Sequence, residues 1–152
     1  MTLPAVAAPL LGLVLAACGG TRPATLGPTT AGRLAPCPES PNCVSSYDTD
    51  EEHGIAPLAF SGDAARAWAR LQAAVADESR VEVVTQTERY LHAEFTSFLF
   101  RFVDDVEFLL DEQAGVIHCR SASRVGRSDL GVNRRRIERL RAALRQPAEP
   151  PP

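Results

Sequence analysis

The sequence predicts an α+β domain: an antiparallel sheet of about four strands, two helices packed on one of its faces, and a Cys/Pro-rich irregular segment before them. Three observations predict it. Apolar residues recur at helical spacing between Ser61 and Glu78; from Arg80 to Arg124 the period drops to two; helical spacing then returns as far as Arg145. Helices flanking a run of consecutive strands suit a two-layer arrangement with the helices grouped on one side.

Residues 37–60 hold the Cys/Pro-rich turn region, an acidic run from Asp48 to Glu52, and the stretch Ile55-Ala56-Pro57-Leu58. Ser61 or Asp63 can cap the first helix, whose apolar face is Ala64, Ala67, Trp68, Leu71 and Val75. Strands follow over Val81–Thr87, Arg89–Ser97, Arg101–Asp111 and Val116–Arg124. In the third, Phe102, Val106, Phe108 and Leu110 face one way, and Val103, Asp105, Glu107 and Leu109 the other.

The turn Glu112-Gln113-Ala114-Gly115 fits a four-residue hairpin loop and sets a register. Leu110 then meets Ile117, Phe108 meets Cys119, Phe102 meets Val125, and Glu107 meets Arg120 on the outer face. A slip of one residue would set Phe108 against His118 and spoil both faces. The last helix begins near Asp129 or Asn133, with Leu130, Asn133, Ile137, Leu140 and Leu144 on one side.

The chain has 152 residues, 45% of them apolar and 23% charged, which suits one modest globular domain. Its net charge of −3 hides an asymmetry: residues 1–119 carry −9 and residues 120–145 carry +7, all sixteen basic residues being arginine. The acidic balance argues against nucleic acid as a partner.

An apolar run from Leu3 to Ala17 ends in Leu15-Ala16-Ala17-Cys18, the pattern of a lipoprotein signal, although Met1-Thr2-Leu3-Pro4 lacks the usual positive charge. The run is shorter than the ~20 residues a membrane span needs. The expected organisation is a signal peptide over 1–17, a flexible tether over 18–36, a domain over 37–145 and a disordered tail over 146–152. Cys18 would carry a palmitate-type lipid and hold the chain in the cell envelope. Gly19-Gly20 after it resemble the signals that send lipoproteins to the outer membrane, facing the periplasm. An exported location permits disulfides, and Cys37 with Cys43 is the natural pair.

Asp104 is the most informative candidate site residue. Alternation places it inward, between Phe102 and Val106, where a carboxylate needs partners. The register sets it opposite Ser123, with Ser121 nearby and Asn133 arriving from the last helix. Asp104, Ser121, Ser123 and Asn133, joined by Arg124 or Arg127, form a buried polar cluster that either anchors the helix to the sheet or binds a ligand. Arg124, Arg127 and Arg134 beside a helix start suit an anion, unless Asp129 caps that helix and the arginines pair with acids.

Cys37 and Cys43 lack metal-ligand spacing, and Cys119 reads as a core residue. His92 and His118 share their strands' outward phase with Glu94 and Glu107, but surface histidines are the commoner case; neither a metal nor another cofactor is expected.

CPESPNCVSS at Cys37–Ser46, the His53/Ile55/Pro57 group, FRFVDDVEF at Phe100–Phe108 and RSASRVGRSDLGVNRRRI at Arg120–Ile137 resemble the domain-of-unknown-function 1499 family over about residues 36–145. The resemblance extends to Asp104, Asp105, Ser121, Ser123, Arg124, Gly126, Asp129, Gly131, Asn133 and Arg134. Cys119 departs from the aliphatic residue expected there. The resemblance implies a bacterial protein, in some members with a lipoprotein leader, and no particular activity.

The functional expectation is a lipid-anchored envelope binding or interaction module whose Arg/Ser/Asn/Asp site takes a small anionic or lipid-like ligand or an envelope protein partner. The alternative is an envelope hydrolase using Asp104 or Asp105 with neighbouring serines and arginines.

Overall fold

The computed structural model describes residues 19–145; the expected leader, the lipidation position Cys18 and the expected disordered tail lie outside the described residues. The elements run β1 (Cys43–Ser45), β2 (Leu58–Ala59), α1 (Ala64–Ala76), β3 (Val81–Gln86), β4 (Tyr90–Thr96), β5 (Val103–Asp111), β6 (Val116–Ser123) and α2 (Val132–Arg145). The fold is α+β, with an antiparallel sheet ordered β1-β6-β5-β4-β3 and β2 beside β1 on the free edge of β6.

Six strands stand where four were expected. The two extra ones come from the segment read as irregular. Three and two residues are too short to show an alternating pattern, and only β6, which pairs Val44 with Ser121 and Leu58 with Ile117, makes them strands.

Asp63 caps α1, its side chain accepting the backbone N–H of Arg66 at 2.7 Å. Trp68, Leu71 and Val75 of α1 join Ile137 and Leu140 of α2 in one apolar cluster. The sheet contributes alternate residues to it: Leu91, Ala93 and Phe95 from β4, Val106, Phe108 and Leu110 from β5, Ile117 and Cys119 from β6. Trp68 also donates its indole N–H to Thr87 O at 3.2 Å.

The β5–β6 register is the one the alternation predicts: Leu110 opposite Ile117, Phe108 opposite Cys119, Glu107 opposite Arg120, Asp104 opposite Ser123. Phe102 is a correction. Ser97 N donates to Phe102 O at 2.8 Å and Phe102 N to Ser97 Oγ at 2.9 Å, closing a turn in which Arg101 takes φ +56°. Phe102 therefore precedes β5, is not paired with Val125 in the β5–β6 ladder, which ends at Asp104–Ser123, and is 40% exposed outside the apolar cluster. Leu130 is another correction: it precedes α2 at φ +53° and lies outside the apolar cluster, 83% exposed.

The larger correction concerns residues 19–36, expected as a slack tether. They run as a strap along the second face of the sheet. The Gly20 backbone packs so close to Arg124 and Val125 that a Cβ there would meet both at 2.9 Å. Arg22 Nε bonds Glu94 at 2.7 Å, Gly27 N donates to Glu107 Oε1 at 2.8 Å, and Leu34 and Ala35 are buried. Glycine and threonine here lack an apolar pattern, but they let the backbone lie close to a polar sheet face and bond its carboxylates. The fold is thus not simply two layers with one open face.

Candidate functional site

The predicted inner cluster exists, with a partner that was not predicted. Asn133, fully buried on α2, accepts from Ser121 Oγ at 2.5 Å and donates to Ser123 Oγ and Asn42 O at 3.0 Å each. The arginine is Arg136, one turn further along α2. Its guanidinium donates to Asp104 Oδ2 at 2.6 Å, Asn133 Oδ1 at 2.6 Å and Ser121 Oγ at 3.0 Å, and lies over the Phe95 ring at 4.6 Å. Spacing could have found it: Asn133 and Arg136 lie three apart, on one side of a helix.

Arg124, Arg127 and Arg134 do not enter this cluster. Arg134 donates to Gly54 O at 2.9 Å and Glu52 O at 3.0 Å, clamping the β1–β2 loop to α2. Arg127 is exposed, with no side-chain partner among the described residues. The helix-start N–H groups are occupied as well, since Asp129 Oδ1 accepts from Gly131 N at 3.0 Å and Oδ2 from Asn133 N at 2.7 Å.

Arg124 turns to the strap face and organises a second cluster. Its Nε donates to Asp105 Oδ2 at 2.8 Å and its terminal nitrogen to Asp105 Oδ1 at 2.7 Å, a two-pronged pair; the same nitrogen reaches Glu94. His92 Nε2 lies 2.8 Å from Asp105 Oδ1, and Arg22 of the strap closes on Glu94. One register step on, Glu107 accepts from the Tyr90 hydroxyl at 2.9 Å, from Gly27 N and from Arg120 at 3.3 Å.

The Glu107–Arg120 pair was expected on an outer face, and His92 as a surface histidine; the strap buries all three. Burial alone would push Asp105 and Glu94 up, but for Asp105 the Arg124 and His92 contacts, and for Glu94 those to Arg124 and Arg22, outweigh it. Both carboxyls are held below their ordinary range. His92, Glu94 and Asp105 offer ligand atoms within 4.8 Å of one another, a spacing that suits a cation. The cation already between the two carboxylates is the Arg124 guanidinium, which a metal ion would have to displace.

Between the far end of the strap and the β5–β6 hairpin lies a cleft of about 640 Å³, walled by Pro28 and Gly32 of the strap and by Tyr47, Arg89, Asp111 and His118. Tyr47 stacks on His118 with ring centroids 4.2 Å apart, and Arg33 lies over the Tyr47 ring at 4.4 Å. His118 Nδ1 lies 3.1 Å from Ser46 Oγ, which also accepts the Cys119 N–H at 3.0 Å. Burial holds the His118 imidazole below its usual range.

The Cys37–Cys43 disulfide is present, as the sequence suggested. Cys119 is free and fully buried, and burial pushes its thiol up to about 12, far from nucleophilic. No helix among the described residues is long and apolar enough to cross a membrane.

The family profile described as protein of unknown function (DUF1499) matches residues 33–144. No curated protein and no solved structure matches the chain.

Proposed function

The chain belongs to the DUF1499 family, and from the geometry we propose that this member is a lipid-anchored envelope protein that binds a small ligand and does not catalyse hydrolysis. The observation that carries the reading is the course of the strap. Its first described residue, Gly19, directly follows the Cys18 of the lipoprotein-like signal; from there it lies along the polar sheet face and supplies a wall of the cleft. A lipid on Cys18 would then hold the domain itself, and not a loose linker, against the bacterial membrane, with the outer membrane its destination.

Catalysis by Asp104 or Asp105 is disfavoured because each carboxylate already grips an arginine, Arg136 and Arg124 respectively. Both carboxylates are thereby committed to holding the fold together. The inner cluster accordingly acts as the lock between α2 and the sheet, and recognition falls to the cleft. Its size suits a small molecule, and Tyr47, His118, Arg89 and Asp111 supply aromatic, cationic and acidic contacts for a polar one.

The test is mass spectrometry of the protein extracted from its own envelope. The expected N-terminal peptide begins at Cys18 and carries acyl chains. The intact protein is expected to bring a small molecule along, which Tyr47→Ala loses. An unmodified Cys18 would overturn the anchor, and a ligand-free protein indistinguishable from Tyr47→Ala would overturn the binding role.

A further inference from the structure

All the large exposed apolar side chains among the described residues, Val83 apart, lie at one pole of the domain. Phe98, Leu99, Phe100 and Phe102, at 78%, 72%, 62% and 40% exposed, form the β4–β5 turn; Leu130 and Val132 flank the start of α2. The register puts these segments at the same end of the sheet. Thr96 pairs with Val103, Asp104 with Ser123, and Arg124 N donates to Val103 O.

The turn is built. Ser97 and Phe102 close it, Phe100 and Phe102 stack at 5.4 Å, and the Arg80 guanidinium lies over Phe98 at 5.6 Å while Arg80 Nε bonds Thr96 O. Exposed Arg101 and Arg127 complete the rim. Of the nearby acids, Glu78 pairs with Arg139, Asp104 with Arg136 and Glu94 with Arg124, and Asp129 caps α2. Glu82, on the edge strand, has no side-chain partner among the described residues.

The first described residue of the strap lies at this pole. A Cβ on Gly19 would sit 3.0 Å from Val103 Cγ2 and 3.9 Å from the Arg101 carbonyl. Cys18 is covalently the next residue along the chain. We infer that this pole is the membrane-facing surface of the protein: the Phe98–Phe102 turn inserts into the same leaflet that receives the Cys18 lipid, and Arg80, Arg101 and Arg127 meet anionic headgroups. The choice of a bilayer as occupant rests on the anchor reading above. One acyl chain alone binds membranes only marginally, and a second apolar and basic element beside it makes the attachment firm.

The experiment places a reporter at the tip. Leu99→Trp is introduced into the lipidated chain and, separately, into a chain starting at position 18 with Cys18→Ser. Both are mixed with vesicles of phosphatidylethanolamine and phosphatidylglycerol bearing brominated acyl chains. The sole natural tryptophan, Trp68, is buried in the core and gives the baseline.

The expected result is a blue shift and bromine quenching of the introduced indole's fluorescence in the lipidated chain. The Cys18→Ser chain should show the same signal at millimolar lipid. With the reporter moved to the neighbouring position as Phe98→Trp, that signal should weaken at least ~10-fold when Leu99→Asp and Phe100→Asp are added. Quenching in the Cys18→Ser chain supports the surface even if Cys18 proves unmodified by mass. A reporter signal that stays water-like in both chains overturns it, whatever Cys18 carries. So does a blue shift that needs no lipid and accompanies a dimeric mass, which would assign the pole to a second copy.

Discussion

Replacing Arg136 with methionine removes the cation that joins α2 to the sheet. The guanidinium makes three side-chain hydrogen bonds, including the 2.6 Å bond to Asp104, and the two side chains are only 6% and 11% exposed. At that burial, screening by water is slight, and an unpaired carboxylate costs about 3–5 kcal/mol. Against a total stability of ~5–15 kcal/mol, the midpoint of thermal unfolding should fall by roughly 10–20 °C. Asp104→Asn keeps the shape and leaves one neutral bond to Arg136, so it should cost less, about 1.5–3 kcal/mol. Arg136→Met combined with Asp104→Leu removes both charges together and should cost less than Arg136→Met and Asp104→Leu measured singly and summed, by about 2 kcal/mol. Urea unfolding followed by circular dichroism measures these free energies, and a thermal scan measures the midpoint. A cost below about 1 kcal/mol for Arg136→Met, the value of a surface pair, would refute the burial argument. So would strict additivity in the double variant.

Two further outcomes follow from the second face and the disulfide. Asp105 and Glu94 release protons more readily folded than unfolded, so their contribution is complete above the unfolded values of about 3.9 and 4.3 and disappears as pH falls through the lower folded ones. Asp105→Asn should therefore lower the urea midpoint at pH 7 and flatten its dependence on pH below about 4; an unchanged acid limb would count against the Arg124 network. Reducing Cys37–Cys43, which closes a loop with a sequence separation of 6, should cost about 2 kcal/mol, read as a lower calorimetric melting temperature in reductant.

The legible parts of this fold are those in which neighbours along the chain decide the geometry. Val106 and Phe108 alternate with Asp105 and Glu107, and that period, with a four-residue turn, sets both the β5–β6 register and the inward direction of Asp104. The same alternation is enough to group Ser121, Ser123 and Asn133 around it. Phe102 shows where such reasoning stops: a side-chain oxygen, Ser97 Oγ, closes the turn and leaves Phe102 outside β5.

By itself, then, the sequence determined the α+β class, the hairpin register, the Cys37–Cys43 pair and the need of a buried Asp104 for partners, and it narrowed the cap on α1 to Ser61 or Asp63. Each follows from spacing within a few residues or from burial of a charge in an alternating strand. Tertiary structure alone decided which arginine answers which carboxylate. Arg136 reached Asp104 across 32 residues, and Arg124, expected beside Asp104, went to the other face. It also decided that residues 19–36 lie on the sheet, because bonds such as Arg22 to Glu94 and Gly27 to Glu107 span 72 and 80 residues. A segment of glycine, proline and threonine has no period to announce such contacts; they exist only once the sheet has set its carboxylates in a row for the backbone to meet.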